Sequence, residues 1–72
     1  MPKLPDLSGA EVIKAMERLG FVQIRQRGSH VVLRRGSDGT VVPLHREVKT
    51  GTLAGILRQA GVTQDEFFGA VK

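Results

Sequence analysis

Two helical stripes separated by a stretch of alternating residues set the layout of this chain. Ser8 with Glu11 three residues on reads as a capping box, with Leu7 and Val12 in the staple positions. Val12, Met16 and Leu19 recur at helical spacing, Ile13 and Ala15 widen the stripe, and Gly20 stands where a left-handed cap belongs. This predicts a helix from Ser8 to Leu19. From Phe21 to Arg27 the period changes to two: Val22 and Ile24 fall on one face and Gln23, Arg25 and Arg27 on the other, a half-buried strand. Gly28 permits a tight reversal into a second strand, His30 to Arg35, and Gly36-Ser37-Asp38-Gly39 supplies a turn before a third, Thr40 to His45. Pro43 lacks a ladder donor, so the third strand lies at an edge.

After a polar loop, Arg46 to Thr50, a second long helix follows from Leu53, Ile56, Leu57 and Ala60 at i, i+3, i+4 and i+7, closed by Gly61. Thr63 with Glu66 forms another capping box, and Phe67, Phe68 and Val71 pack a short final turn back onto the body. Met1 to Asp6 is a proline-marked lead-in. The order is helix, three antiparallel strands, helix and a short helical turn, an α+β fold. Helices covering one side of such a sheet leave the other side to water. On the second strand Val31 and Leu33 form the core set, which turns His30, Val32 and Arg34 outward. With Val42 and Leu44 inward on the third strand, His45 joins that outer face, together with Arg25 and Arg27 from the first.

Composition narrows the function classes. A chain of 72 residues makes a single domain over residues 1–72, burying only about 60% of its unfolded surface. Without Trp or Tyr, the core draws on Leu, Val, Ile, Met and three Phe. Zero cysteines leave no disulfide framework, thiolate metal site or thiol nucleophile. No apolar run approaches the roughly 18 residues of a membrane span and no signal-peptide core opens the chain, so a soluble, cytoplasmic protein is expected. The net charge of +4 is unevenly placed. Arg18 to Ser37 holds Arg18, Arg25, Arg27, Arg34 and Arg35 with no acid, while the remainder is close to neutral. Such clustering favours an anionic partner, with Arg25, Arg27 and Arg34 as phosphate contacts.

Within that window stands Gly28-Ser29-His30, directly before the apolar run Val31-Val32-Leu33. The tripeptide, with Val42-Pro43-Leu44-His45, Gly51-Thr52-Leu53, Ile56-Leu57, Ala60-Gly61 and the closing Phe67, resembles the HicA-type (YcfA-like) mRNA interferase toxins over nearly the whole chain. The resemblance implies a fold similar to double-stranded RNA-binding domains, a metal-independent endoribonuclease that blocks translation by cutting mRNA, and a HicB-type antitoxin that covers it. It also implies that His30 is the catalytic residue.

The chemistry is coherent on its own terms. RNA carries its nucleophile, the 2′-hydroxyl, beside the phosphodiester, and a neutral imidazole can accept that proton while guanidinium groups offset phosphoryl charge. His45 is the only other histidine available to protonate the departing 5′-oxygen, with water the alternative. Each residue also has a plainer reading. A histidine at a strand start commonly faces solvent or braces a turn, and a serine after glycine, as at Ser29, commonly makes a local hydrogen bond rather than a phosphate contact. Gly51-Thr52 offers backbone amides to an anion or is simply a helix start. Two separated histidines without a carboxylate cluster imply no metal cofactor. The rival functions are a non-catalytic RNA-binding module and a basic adaptor docking an acidic protein.

Overall fold

The computed structural model describes residues 6–71, so the expected lead-in before Asp6 lies outside the described residues. Its elements run α1 (Gly9–Arg18), β1 (Val22–Arg27), β2 (His30–Arg35), β3 (Asp38–Pro43), α2 (Thr50–Ala60) and α3 (Gln64–Ala70). The strands form one antiparallel sheet in the order β1-β2-β3, which is the expected α+β arrangement with β3 at an edge.

The core sits between the sheet and the helices. Val12, Ile13, Ala15 and Met16 of α1 and Leu53, Ile56, Leu57 and Ala60 of α2 bury against Val31, Leu33 and Val42 of the sheet, with Phe21 and Phe67 closing the ends. Phe68 packs against this cluster half-buried. The one buried polar residue among those described is Thr40, whose hydroxyl lies 3.3 Å from the Ile56 carbonyl and 3.0 Å from Gln59 Oε1. These contacts fix α2 along β3. Close approach of backbone fixes α1: Gly9 donates to the His45 carbonyl at 2.9 Å, and a Cβ there would meet the Pro43 carbonyl and lie 2.8 Å from Leu44 Cα.

Three expectations are corrected. First, β1 is not half-buried: all six residues are exposed, Val22 at 59% and Ile24 at 54%. The ladder shifts register between Gln23 and Arg25, so a bulge at Ile24 breaks the alternation. Gln23 and Gln26 then pair with Leu33 and Val31 on the helix side, while Val22, Arg25 and Arg27 pair with Arg34, Val32 and His30 on the open side. Second, Gly36-Ser37 alone makes the second turn, so β3 starts at Asp38 and stops at Pro43. His45 therefore lies beyond the ladder, and Leu44 is 38% exposed rather than core. Third, α2 begins at Thr50 with Lys49 as N-cap and no side-chain cap bond, so Gly51-Thr52 lies inside its first turn.

Both predicted capping boxes are present. Ser8 N–H donates to Glu11 Oε1 at 2.9 Å and Glu11 N–H to Ser8 Oγ at 3.1 Å; Thr63 and Glu66 repeat the pattern at 3.0 and 3.1 Å. The backbone donors of Ser8 and Thr63, followed by their hydroxyls, hold the two carboxyls below the ordinary glutamate value of 4.5. A carboxyl whose folded value is depressed contributes stability that is full above the unfolded value and is lost as pH falls through the folded one. The thermal midpoint is accordingly expected to fall between about pH 6 and about pH 3. Glu11→Gln with Glu66→Gln, followed by circular dichroism melting across that range, should flatten the slope. An unchanged slope in the double variant contradicts the assignment.

Candidate functional site

Residues directly paired across antiparallel strands share a face, so the ladder defines the open side of the sheet row by row. One row is Arg27–His30–Pro43, the next Arg25–Val32–Val41, and the third Val22–Arg34–Gly39. The rows between them point into the core. His30 is the exposed first residue of β2. Its pairing with Arg27 puts the two Cβ atoms about 5 Å apart. Arg34, four residues along the same strand, stands roughly 13 Å from His30.

The turn holding His30 is built for that position. Gly28 has φ 57°, the left-handed region in which a side chain is strained, although a Cβ there would meet nothing within 4 Å; conformation, not space, demands glycine. Gln26 Nε2 donates to the Gly28 carbonyl at 3.0 Å, and the Ser29 carbonyl accepts from Leu44 N–H at 2.6 Å. Ser29 itself is exposed at the apex. The imidazole thus projects from backbone tied to both neighbouring strands.

The five arginines of the acid-free window divide into two groups. Arg18 Nη1 donates to the Ala70 carbonyl at 2.8 Å, holding α3 to α1. Arg35 Nη1 donates to the Leu19 carbonyl at 2.9 Å, and its guanidinium lies 4.7 Å over the Phe21 ring, so it closes the end of the core. Arg25, Arg27 and Arg34 are exposed, and all three stand on the open face with His30. The hairpin pairing of Arg27 with His30 puts Arg27, and Arg25 two residues before it, on that face as the alternation predicts; the bulge at Ile24 changes the residues ahead of it, turning Val22 to the open side and Gln23 to the helix side.

Two cations escaped the sequence reading. A Cβ at Gly61 would lie 3.5 Å from the Asp38 carboxylate, and Thr40 reaches Ile56 and Gln59, so α2 runs antiparallel to β3. Eleven residues of α2 and six of β3 span a similar length, about 16 Å and 20 Å. The start of α2 therefore lies at the Pro43–His30 end, and the connecting segment brings exposed His45, Arg46 and Lys49 to that end. Asp38 closes the acid-free window ahead of this run, and Glu47 interrupts the run itself. Among the described residues, no group of three or more His, Asp or Glu gathers as metal ligands, and no helix is long and apolar enough to cross a membrane.

The sheet is thus backed by two helices, with an exposed histidine at one hairpin beside exposed arginines. Residues 9–62 match the family described as "HicA toxin of bacterial toxin-antitoxin", and the chain belongs to that family. The match runs from the first residue of α1 to just past α2, leaving α3 outside it. No curated protein matches the chain as a relative.

Proposed function

We propose that this toxin is an endoribonuclease that cuts mRNA, with His30 as general base. The observation that carries the reading is the pairing of an exposed His30 with Arg27 on a face that also bears Arg25 and Arg34. A neutral imidazole at His30 takes the proton of a ribose 2′-hydroxyl. The 2′-oxygen attacks the adjacent phosphorus and the 5′-oxygen leaves, taking a proton from water. The products end in a 2′,3′-cyclic phosphate and a 5′-hydroxyl. Arg27 is close enough to offset charge growing on the phosphoryl oxygens. Arg25 and Arg34 hold neighbouring phosphates rather than the reacting one, as their distance along the sheet dictates, and Ser29 at the apex is a phosphate contact beside the imidazole. Arg46, Lys49 and His45 extend the cationic path beyond β3.

No step requires a metal, because the nucleophile is internal to the substrate. The reading includes the antitoxin partner as a HicB-type protein that shields His30, and a cytoplasmic site of action, where mRNA is met. The sparse aromatics fit weak base preference: Phe21 and Phe67 are buried and Phe68 packs on the core, so base stacking has no exposed platform.

The test uses the purified chain, an end-labelled RNA, a chelator, and the same RNA with 2′-deoxynucleotides at the cleaved positions. Cleavage of the all-ribose RNA to cyclic-phosphate ends, with the deoxy positions intact, is expected. Salt-sensitive binding without cleavage would instead assign a non-catalytic RNA-binding module.

A further inference from the structure

The cations of the open face stand in a line. Arg27 occupies β1 in the row of His30, Arg25 occupies β1 in the next row, and Arg34 occupies β2 in the third. Successive rows lie about 7 Å apart, so each step of the line is close to the stride of one nucleotide in an extended single strand. The outward positions of β3, by contrast, are Pro43, Val41 and Gly39, none of them charged. Beside them opens a groove of about 370 Å³, lined by Arg25, Val32, Arg34, Gly39 and Val41 of the sheet and reaching Gln59 of α2. Val32 is half-buried and Val41 exposed, so the groove offers aliphatic surface on its β3 side. The line ends at the third row, since Asp38, the next residue at that end of β3, brings a carboxylate.

We infer that Arg25 and Arg34 form a one-sided phosphate ladder: they take the two phosphates next to the scissile one on a single flank of an unpaired RNA strand, whose riboses and bases turn toward β3 and its groove. A double helix does not fit this line. It presents two phosphate rows, and with one row on the arginines the other would cross Pro43, Val41 and Gly39 with no cation to meet it. An unpaired strand leaves its base faces bare, and Val32 and Val41 give them apolar contact. With no aromatic ring there, that contact does not sort one base from another. The opposite flank leaves the sheet past the hairpin turn and meets Arg46 and Lys49, so different residues hold the two flanks. The inference rests on the proposed RNA site and adds to it the strandedness and the footprint of the substrate.

The test fixes the register with 2′-O-methyl RNA carrying a single ribose, the one place where a 2′-hydroxyl can attack, and lengthens one flank at a time. Adding two phosphates to the flank held by the ladder should raise kcat/KM about tenfold, as two phosphate contacts would. Arg25→Gln with Arg34→Gln should erase that gain and leave the gain from the opposite flank. A second measurement needs no cleavage. Fully 2′-O-methylated RNA should bind at least about tenfold more tightly as a single strand than annealed to its complement, and the double variant should reduce the slope of log affinity against log salt by about 1.4. Arg34→Gln alone should reduce it by about 0.7, which keeps the test open if the double variant fails to fold. Equal losses on both flanks, an unchanged salt slope, or a duplex bound as tightly as the single strand overturns the inference. A chain that binds RNA without cutting it contradicts the nuclease reading alone, because the slope and the duplex comparison still decide the ladder.

Discussion

His30→Ala should abolish RNA cleavage while leaving the fold and RNA binding in place. General base catalysis contributes roughly 10² to 10⁴-fold, so the variant's cleavage rate should fall by about that range under single-turnover conditions. The side chain is exposed, and the turn beneath it is held by backbone bonds and by Gln26, none of which the substitution removes. The thermal midpoint should therefore move little, in keeping with surface changes that stay within about 0.5 kcal/mol. RNA affinity, which the proposal assigns to Arg25, Arg27 and Arg34, should remain within about twofold. A variant that binds as before and still cuts at an undiminished rate removes His30 from the chemistry. A variant that neither binds nor cuts makes His30 a contact residue instead.

Phe67→Ala has the largest expected effect on stability, although Phe67 lies outside the segment that matches the family. It is the largest fully buried side chain, and it fixes α3 against the core, a packing reinforced by the bond from Arg18 to the Ala70 carbonyl. Replacing a core phenylalanine with alanine costs about 3–5 kcal/mol. A chain of this length has roughly 4–11 kcal/mol in total. The thermal midpoint should drop by more than about 12 °C, and a low-stability background would unfold outright. Phe68→Ala, at a half-buried position, should cost distinctly less. Melting curves of the two variants, read by circular dichroism, decide the matter. A loss below about 1 kcal/mol for Phe67→Ala would make α3 an appendage rather than part of the core.

The parts of this fold that were legible in the sequence are those fixed locally. Ser8 with Glu11 and Thr63 with Glu66 announce their helices because each box is complete within four residues. Gly28 marks its turn, and the parity of Val31 and Leu33 correctly turns His30, Val32 and Arg34 outward. β1 was misread because a two-residue period assumes unbroken register, and nothing in Val22 to Arg27 marks the bulge that only pairing with β2 creates. Leu44 was misplaced for a related reason: the shorter turn ends β3 at Pro43, two residues before the pattern suggests.

The candidate site could be proposed from the sequence only in outline. Gly28-Ser29-His30 gave the histidine through its resemblance to a family, and the residues alone could not have done so. Charge counting could not sort the arginines, since Arg18 and Arg35 differ from Arg34 only through their long-range partners, the Ala70 and Leu19 carbonyls. Arg46 and Lys49 reach the His30 end only because α2 lies antiparallel along β3, a fact of packing that spacing does not contain.

The account's central claim, that this toxin acts by cutting mRNA through His30, is tested most directly by controlled expression in bacteria of the intact chain and of His30→Ala, following growth and a reporter mRNA. The account predicts growth arrest with reporter cleavage from the intact chain, and neither from a folded His30→Ala. Growth arrest with the reporter mRNA left whole, or equal arrest from both chains, would contradict it.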